Sequence, residues 1–228
     1  MNDEKENLRS RYISARKSMS PADAERYSAR IATNIFSLPR ILDSDLILIY
    51  CAAGAEVDTA TLADLIVGSG RGIAFPYCRK DGSIGIGRVF SPRDEDLAPG
   101  ALGIMEPIER LRDNIDPGQL DAVVCPGVAF DRECGRLGRG GGYYDRFLQE
   151  LKGKAYLVGC AYDCQISDDP LPRDGHDIAM DAVVTEVRAF PGGSCPALNP
   201  DGGEWGENAD RVSRGIRGIG FYGGNAIT

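Results

Sequence analysis

The sequence predicts an α/β fold in which helices flank a mostly parallel or mixed central sheet. Two observations lead to this prediction. Short, continuous apolar runs separated by turn residues recur along the chain, and segments with helical periodicity lie between them. Continuous apolar runs are typical of strands buried on both faces, and alternation with helices is typical of α/β layers. The expected architecture is a three-layer, Rossmann-like sandwich.

Two amphipathic helices are predicted at the start of the chain. Apolar residues recur at helical spacing through residues 4–18, with basic residues on the other faces. Ser20 is a suitable N-cap for a second helix, Pro21 suits its first position, and Asp23 suits its third. We expect this second helix to end near Leu38.

The later elements follow from the positions of the apolar runs. Strands are predicted at residues 46–50, 73–78, 84–89, 121–130, 155–162 and 181–186, with helices at 60–67 and 143–151. Residues 1–187 are therefore expected to form a single α/β domain. Residues 188–228 are rich in Gly and Pro and lack an apolar period, which predicts an irregular or disordered C-terminal tail.

Composition excludes several classes of protein. The 228 residues carry 26 basic and 34 acidic side chains, a net charge of -8, which gives no overall footprint for nucleic acid or an anionic membrane. No apolar run reaches the length of a membrane span, and the N-terminus lacks a signal peptide's apolar core. We expect a cytoplasmic protein. The seven Cys are scattered and His176 stands alone, so we expect reduced, mostly buried thiols and no structural zinc.

The densest cluster of the 29 glycines is a loop at residues 135–142, between a predicted strand and a predicted helix. In an α/β sheet this junction lies at the carboxyl end of a strand, where ligands bind. Glycines allow backbone N–H groups to face an anion, and a helix N-terminus favours negative charge. Arg136 and Arg139 add donors suited to phosphate or carboxylate. The loop therefore predicts phosphate binding.

The loop is not one of the common nucleotide-binding motifs. A Walker A loop requires Lys and then Ser or Thr after its last Gly, and Tyr143 occupies the last Gly position of a dinucleotide GxGxxG motif. A flexible turn is the alternative interpretation.

Four further residues are candidates whose interpretation stays open. Asp145 suits the first helical turn as a dipole partner, and equally suits Mg²⁺ beside bound phosphates. Glu56 follows a predicted strand, where a solvated loop acid is the simpler interpretation. His176 could be catalytic or merely hydrogen-bonded, and Asp181 could cap a turn.

The segment CPGVAFDRECGRLGRGGGYYDRFL, residues 125–148, resembles the signature of the 5-formyltetrahydrofolate cyclo-ligases, also called methenyltetrahydrofolate synthetases. Supporting matches are Lys5-x-x-Leu8-Arg9, EVDT at 56–59, MEP at 105–107, and LPRDGHDIAMDAVVTE at 171–186. The resemblance spans about residues 5–186 in the family's order. It implies an ATP- and Mg²⁺-dependent conversion of 5-formyltetrahydrofolate to 5,10-methenyltetrahydrofolate, with release of ADP and phosphate.

The resemblance also assigns roles to residues. It implies Arg139, Tyr143 and Asp145 as catalytic residues and Asp145 with Asp181 as Mg²⁺ ligands. For ATP it implies Lys5, Arg9, Arg136, Leu137, Gly138, Arg139, Gly140, Gly141, Gly142, Tyr143 and Tyr144. For the folate it implies Glu56, Arg139, Gly140, Gly141, Gly142 and Tyr143. Asp174 and Gly175 depart from the residues that are common in the family at these positions.

Two other functions are compatible with the sequence. A sugar-phosphate isomerase on a related α/β scaffold could use the same loop for its substrate, with Glu56 or Asp145 as base. A noncatalytic folate- or nucleotide-binding relative is the second alternative, although a pure binder has no need of paired metal acids. The family resemblance implies 5-formyltetrahydrofolate and ATP as partners and Mg²⁺ as cofactor, and we expect no nucleic-acid or membrane partner and a monomer or a weak homodimer.

Overall fold

The structure, a computed structural model, describes residues 2–92, 95–100 and 103–192. Its helices are α1 (Asn2–Lys17), α2 (Pro21–Phe36), α3 (Pro39–Leu42), α4 (Ala60–Gly68) and α5 (Tyr143–Leu151). Its strands are β1 (Leu46–Leu48), β2 (Gly72–Cys78), β3 (Ile84–Val89), β4 (Leu97–Pro99), β5 (Met105–Pro107), β6 (Ala122–Pro126), β7 (Ala129–Asp131), β8 (Arg136–Leu137), β9 (Tyr156–Cys160), β10 (Ile166–Ser167), β11 (Ala182–Val184) and β12 (Ala189–Pro191). Short 3-10 turns occupy Glu109–Leu111, Pro117–Gln119 and Asp163–Gln165.

Seven strands form the central sheet, in the order β12-β11-β9-β6-β1-β2-β3. The five inner strands pair in parallel, whereas β12 and β3 are antiparallel edges. Parallel strands require crossovers, and helices supply several of these connections. The predicted mixed, mostly parallel sheet is confirmed.

Alternating side chains of the sheet enter two separate cores. Ile47 of β1 faces α2 and α4, where it packs in one core with Ile31 and Ile66. Leu48 points the other way, into a core with Leu148 of α5. Because each face of the sheet is covered by helices, the molecule has three layers, as predicted. The helix α1 lies apart from both cores and packs through Tyr12 on Val128 and Leu137.

Local chemistry sets the beginning of α2. Ser20 is the N-cap, and its side chain accepts a hydrogen bond from the Asp23 N–H at 3.1 Å. Ile31 and Ile35 are fully buried on the predicted inner face. The sequence expectation for this helix is confirmed, with its end two residues earlier than predicted.

The apolar run 121–130 is two strands rather than the single strand predicted. The chain turns at Gly127, and β7 then leaves the main sheet to pair with β8 and β10. A Cβ on Gly127 would lie 2.5 Å from the Phe130 ring, and one on Gly159 would lie 2.6 Å from it. The ring therefore occupies the space that two glycines leave open, a constraint that apolar periodicity does not reveal.

The sheet also extends beyond the predicted domain boundary at residue 187. The strand β12 pairs with β11 in antiparallel register, and the Gly192 N–H donates to the Asp181 carbonyl at 2.8 Å. Residues 188–192 are therefore part of the folded domain, which corrects the boundary. The rest of the predicted tail, 193–228, lies outside the described residues. Within the described part of the chain, no helix has the length and apolar character needed to cross a membrane.

The centre of the sheet should dominate stability. Ile47 is fully buried between neighbouring strands, so Ile47→Ala should lower the free energy of unfolding by about 2 to 5 kcal/mol through lost burial and a residual cavity. Urea denaturation followed by far-ultraviolet circular dichroism measures this change. Leu42→Ala, at a side chain 40% exposed, is the matched control and should change stability by about 0.5 kcal/mol or less. Equal losses in the two variants would contradict the assigned core.

Candidate active site

A cavity of about 190 Å³ opens at the carboxyl edge of the parallel strands. Its floor includes residues that directly follow β1 and end β6, and its rim is formed by the glycine-rich loop before α5. It is lined by Tyr50, Cys51, Glu56, Pro76, Tyr77, Cys78, Ile84, Ile104, Met105, Glu106, Pro126, Gly127, Arg136, Gly138, Arg139, Gly141, Gly142, Tyr143, Tyr144 and Asp145. The cavity lies where ligands bind in open α/β sheets.

The glycine-rich loop adopts a backbone that requires glycine at two positions. Gly140 has φ 100° and Gly142 has φ 64°, both in the left-handed region. Gly142 is also the N-cap of α5, and no side chain caps that end. The N–H groups of the first helical turn are therefore available to an anion. This geometry supports phosphate binding over a mere flexible turn.

Arg136 and Asp145 form an ion pair that spans the loop. Arg136 Nη2 lies 2.5 Å from Asp145 Oδ1, and the guanidinium is 3% exposed. Arg136 Nη1 also donates to the Pro126 carbonyl at 3.4 Å, and the guanidinium carbon lies 5.8 Å from the centre of the Tyr144 ring. The pair fixes the two ends of the loop relative to the end of β6. Leu137, by contrast, is buried against α1 and does not line the cavity.

Glu56 and Arg139 form a second ion pair, across the cavity opening. Arg139 Nη2 lies 2.6 Å from Glu56 Oε1 and 3.2 Å from the Ala53 carbonyl oxygen. The Glu56 side chain is 9% exposed, and its other oxygen accepts from the Ala53 N–H at 3.0 Å. Arg139 is half-exposed. Glu56, which composition left as a solvated loop acid and the family resemblance assigned to the folate, is thus held at the cavity with its carboxylate largely buried.

Arg9 reaches the loop from α1. Its Nε donates to the Gly138 carbonyl at 3.0 Å, and its guanidinium carbon lies 3.4 Å from the position that a Cβ of Gly140 would take. Its nearest acidic partner is Glu6, which is largely exposed. The guanidinium is therefore held close to the backbone of the glycine-rich loop.

Lys5 lies between two carboxylates. Its Nζ is 2.7 Å from Asp174 and 2.6 Å from Asp177. Burial alone would lower the pKa of the Lys5 ammonium, but the hydrogen bonds to the two acids outweigh burial and raise it. Lys5 therefore stays charged at neutral pH. Asp174, His176 and Asp177 could together approach a metal ion, but the ammonium occupies two of their carboxylates and His176 is largely exposed.

Asp181 is not brought to the cavity. It precedes β11, at the amino edge of the parallel strands, and its carboxylate accepts from the Leu157 N–H at 2.8 Å. Asp121, before β6, binds the N–H groups of Asp45 and Leu46 in the same way. The predicted pairing of Asp181 with Asp145 at one metal ion is therefore not supported by the structure, which favours the turn-capping interpretation of Asp181.

Several cavity residues were not singled out from the sequence. Glu106 of β5 is 4% exposed, accepts from the Cys78 N–H at 3.2 Å, and lies 3.2 Å from Arg112. The Arg112 guanidinium also stacks over the Tyr77 ring at 4.7 Å. This brace holds β2 and β5 together as one wall. Residues 105–107 matched the family pattern, but no sequence signal placed Tyr50, Tyr77 or Cys51 in the cavity.

The cavity offers protonated donors rather than nucleophiles. Burial raises the pKa of the Cys51 thiol to about 12, and burial beside Glu106 raises the pKa of Cys78 as well. Burial also raises the pKa of Tyr144 well above its ordinary value. Both thiols and the phenol are therefore neutral at pH 7. The arrangement is therefore not suited to covalent catalysis by cysteine.

Comparisons with known proteins agree with this geometry. A sequence model of the 5-formyltetrahydrofolate cyclo-ligase family matches residues 1–186. The 5-formyltetrahydrofolate cyclo-ligase of Escherichia coli K12 is 30% identical over 176 residues, which are 77% of this chain and 96% of that protein. The Mus musculus cyclo-ligase is 28% identical over 194 residues, covering 82% of this chain and 95% of that protein.

A solved structure shows the same fold. The NMR structure of Aquifex aeolicus 5,10-methenyltetrahydrofolate synthetase matches with a TM-score of 0.72 and 37% identity, covering 86% of this chain and 96% of that one. The family match includes the glycine-rich loop, both ion pairs and the N-terminal Lys5 and Arg9. The resemblance inferred from the sequence is confirmed: this chain belongs to the 5-formyltetrahydrofolate cyclo-ligase family.

Proposed function

We propose that the protein converts 5-formyltetrahydrofolate to 5,10-methenyltetrahydrofolate with consumption of ATP and release of ADP and phosphate. The observation that carries this proposal is the joining of a glycine-rich, arginine-bearing loop to a largely apolar cavity at the same sheet edge. A phosphate-binding rim beside an apolar cavity suits one polyanionic and one aromatic substrate. The relatives named for this reaction include proteins of which the match covers nearly the whole length.

The reaction needs positioning more than a protein nucleophile. ATP phosphorylates the formyl oxygen, which turns a poor leaving group into phosphate. The side-arm nitrogen of the folate then attacks the activated carbon, and phosphate departs. Holding the two substrates in line and neutralising charge on the transferred group accounts for most of such catalysis. The neutral thiols of the cavity agree with this scheme.

ATP is proposed to lie along the rim. The unpaired N–H groups at the start of α5, together with those of Gly138, Gly140, Gly141 and Gly142, would donate hydrogen bonds to the phosphate oxygens. Arg139 would reach the transferred group, since its exposed guanidinium can exchange Glu56 for phosphate. Arg9 and Lys5 would contact the phosphates from α1, and Tyr143 and Tyr144 would enclose them. This arrangement brings Arg9, Arg136 and Arg139 to one loop of a protein with a net charge of -8.

Asp145 is the proposed Mg²⁺ ligand. Mg²⁺ is usually held by one or two carboxylates together with phosphate oxygens, and it supplies charge neutralisation on the transferred phosphoryl group. Asp145 fits that donor set because it stands in the first turn of α5 beside the loop, with one oxygen on Arg136. Asp181 does not fit, since its carboxylate caps β9 at the opposite edge of the sheet.

The folate is proposed to fill the apolar part of the cavity. Tyr50, Tyr77, Ile84 and Met105 provide apolar surface for flat rings, and the Glu56 carboxylate can accept hydrogen bonds from folate N–H groups. Glu56 also positions Arg139, which links the folate region to the phosphate region. A catalytic role for Arg139, Tyr143 and Asp145 is proposed on this placement.

The alternative functions are less well supported. No relative described above is a sugar-phosphate isomerase, and a small sugar phosphate would leave the apolar wall of the cavity without a partner. The relatives described above are named for the cyclo-ligase activity rather than for binding alone. A cytoplasmic location, a monomeric or weakly dimeric state, and the absence of nucleic-acid and membrane partners stay predictions.

Asp145→Asn should lower kcat by at least about a hundredfold, because the variant loses the anionic metal ligand and leaves Arg136 without its counter-charge. The assay mixes purified protein, MgATP and 5-formyltetrahydrofolate and follows the near-ultraviolet absorbance of the methenyl product. The Mg²⁺ concentration for half-maximal rate should rise in the same variant. Glu150→Gln, at an exposed position on the same helix, is the control and should retain the parent rate. Full activity of Asp145→Asn would refute the metal role.

Glu56→Gln should raise KM for 5-formyltetrahydrofolate by about tenfold, since it removes a partly desolvated acceptor at the cavity. KM for ATP should change less than about twofold. Steady-state kinetics with each substrate varied in turn separates the two constants. An increase confined to the KM for ATP would place Glu56 with the nucleotide and contradict the proposed orientation.

A further inference from the structure

A buried carboxylate outside the cavity joins the two segments that carry Lys5's partners and Arg136. Asp131, the last residue of β7, is 1% exposed and does not line the cavity. Its two oxygens accept hydrogen bonds from three backbone N–H groups and from Arg173. A fully buried carboxylate is costly unless it is completely satisfied, and this one is satisfied only by residues from two separate parts of the chain.

The first segment is the turn that leads into Arg136. Asp131 Oδ1 accepts from the Glu133 N–H at 3.0 Å and from the Gly135 N–H at 2.7 Å. Within this turn Cys134 has φ 62°, a conformation that non-glycine residues rarely adopt. The carboxylate therefore holds a strained turn in shape. Arg136 follows directly in β8, so the shape of the turn sets where its guanidinium meets Asp145.

The second segment leads to the acids that hold Lys5. Asp131 Oδ2 accepts from the Leu171 N–H at 2.9 Å, and Arg173 Nη2 lies 2.9 Å from both oxygens. The next residue, Asp174, binds Lys5 at 2.7 Å, and its N–H donates to Asp177 at 2.8 Å. A shift of residues 171–173 would therefore move the partners of Lys5.

The turn at Gly135 and the segment that carries Arg173 lie in close contact. A Cβ at this position would lie 2.5 Å from Asp131 Oδ2 and 2.5 Å from Arg173 Nε. The guanidinium packs directly on the turn, and no larger residue would leave space for it. Burial alone would raise the pKa of Asp131, but Arg173 and the backbone N–H groups lower it overall, so the carboxylate is charged at neutral pH.

We propose that Asp131, with Arg173, is a positioning residue for ATP: it aligns Arg136 with Lys5 across the nucleotide site without contacting either substrate. The proposal rests on the assignment of Lys5 to ATP proposed above and on that of Arg136 to ATP, which the family resemblance implies. The folate wall is built by β2 and β5 and braced by Arg112, and it has no contact with Asp131 among the described hydrogen bonds. Loss of the Asp131 carboxylate should therefore raise KM for ATP more than KM for the folate.

The test uses steady-state kinetics of the full chain with ATP and 5-formyltetrahydrofolate varied separately. Asp131→Asn keeps the size of the side chain and removes its charge. Arg173→Met and Arg173→Lys change the arginine that pairs with Asp131. Because the Arg173 side chain is one-third exposed, these variants should fold even if Asp131→Asn does not. We expect KM for ATP to rise about tenfold in Asp131→Asn and in Arg173→Met. KM for the folate should stay within twofold, and Arg173→Lys should recover most of the ATP affinity.

Asp96→Asn is the matched structural control. Asp96 is also a buried carboxylate, and it also accepts from two backbone N–H groups, of Phe90 and Ser91, and from one arginine, Arg110. The control should lower the thermal midpoint as Asp131→Asn does but leave KM for ATP within twofold. Equal rises of KM for both substrates, or a changed thermal midpoint with unchanged KM for ATP in Asp131→Asn and Arg173→Met, would overturn the proposal.

Lys5→Met in the same series distinguishes failure of the positioning role from failure of the assignment of Lys5 to ATP. A raised KM for ATP in Lys5→Met with parent-like kinetics in Asp131→Asn and Arg173→Met would refute the positioning role alone. A parent-like KM for ATP in Lys5→Met would refute the assignment of Lys5 to the nucleotide, and with it the proposed alignment.

Discussion

The site depends on one buried interaction, the ion pair between Arg136 and Asp145. Four of the eight residues between them are Gly, and two of these, Gly140 and Gly142, lie in the left-handed region of φ. Such a segment has large conformational freedom, which would have to be lost each time a ligand binds. The ion pair joins the two ends of the loop, and Arg136 also donates to the Pro126 carbonyl, so much of that freedom is removed in advance. The loop can thus be glycine-rich and still be preorganised.

Burying the Arg136–Asp145 pair has an electrostatic cost. The Arg136 guanidinium is nearly inaccessible, and its Nε has no hydrogen-bond partner among the described residues. A buried charge with an unsatisfied donor destabilises the fold, and the stability must come from the two apolar cores. The sheet provides it, since Ile47, Val124, Val158 and Val184 are fully buried in adjacent strands. Sites of this kind are expected to depart from optimal packing where function requires it.

Much of the architecture could be predicted because it depends on local signals. Continuous apolar runs located the five inner strands, and the Ser20 cap located α2 to within a residue at its start. The glycine-rich loop was recognisable because its composition is unusual and its position between strand and helix is informative. Long-range placement was not predictable in the same way. The turn at Gly127 depends on the Phe130 ring, and β12 exists because β11 offers it an edge.

In the candidate site, too, residues with local sequence signals were predictable and those placed by long-range contacts were not. Arg136, Arg139 and Asp145 were found because they lie within or next to the loop. Tyr77 and Glu106 come from separate strands whose wall exists only after the sheet has formed. Asp181 illustrates the opposite case: an acid before a strand has the same local pattern whether it binds a metal or caps a neighbour, and only the edge of the sheet on which it lies distinguishes the two.

The Phe130 ring between Gly127 and Gly159 restricts which substitutions these three positions can accept. Neither glycine can acquire a side chain while the ring is present, and a smaller residue at 130 would open a void between β6 and β9. Each single step away from this arrangement is unfavourable, although a combined change of ring and glycine could restore the packed volume. Substitutions at these three positions are therefore expected to occur together or not at all, which couples their evolution beneath the active site.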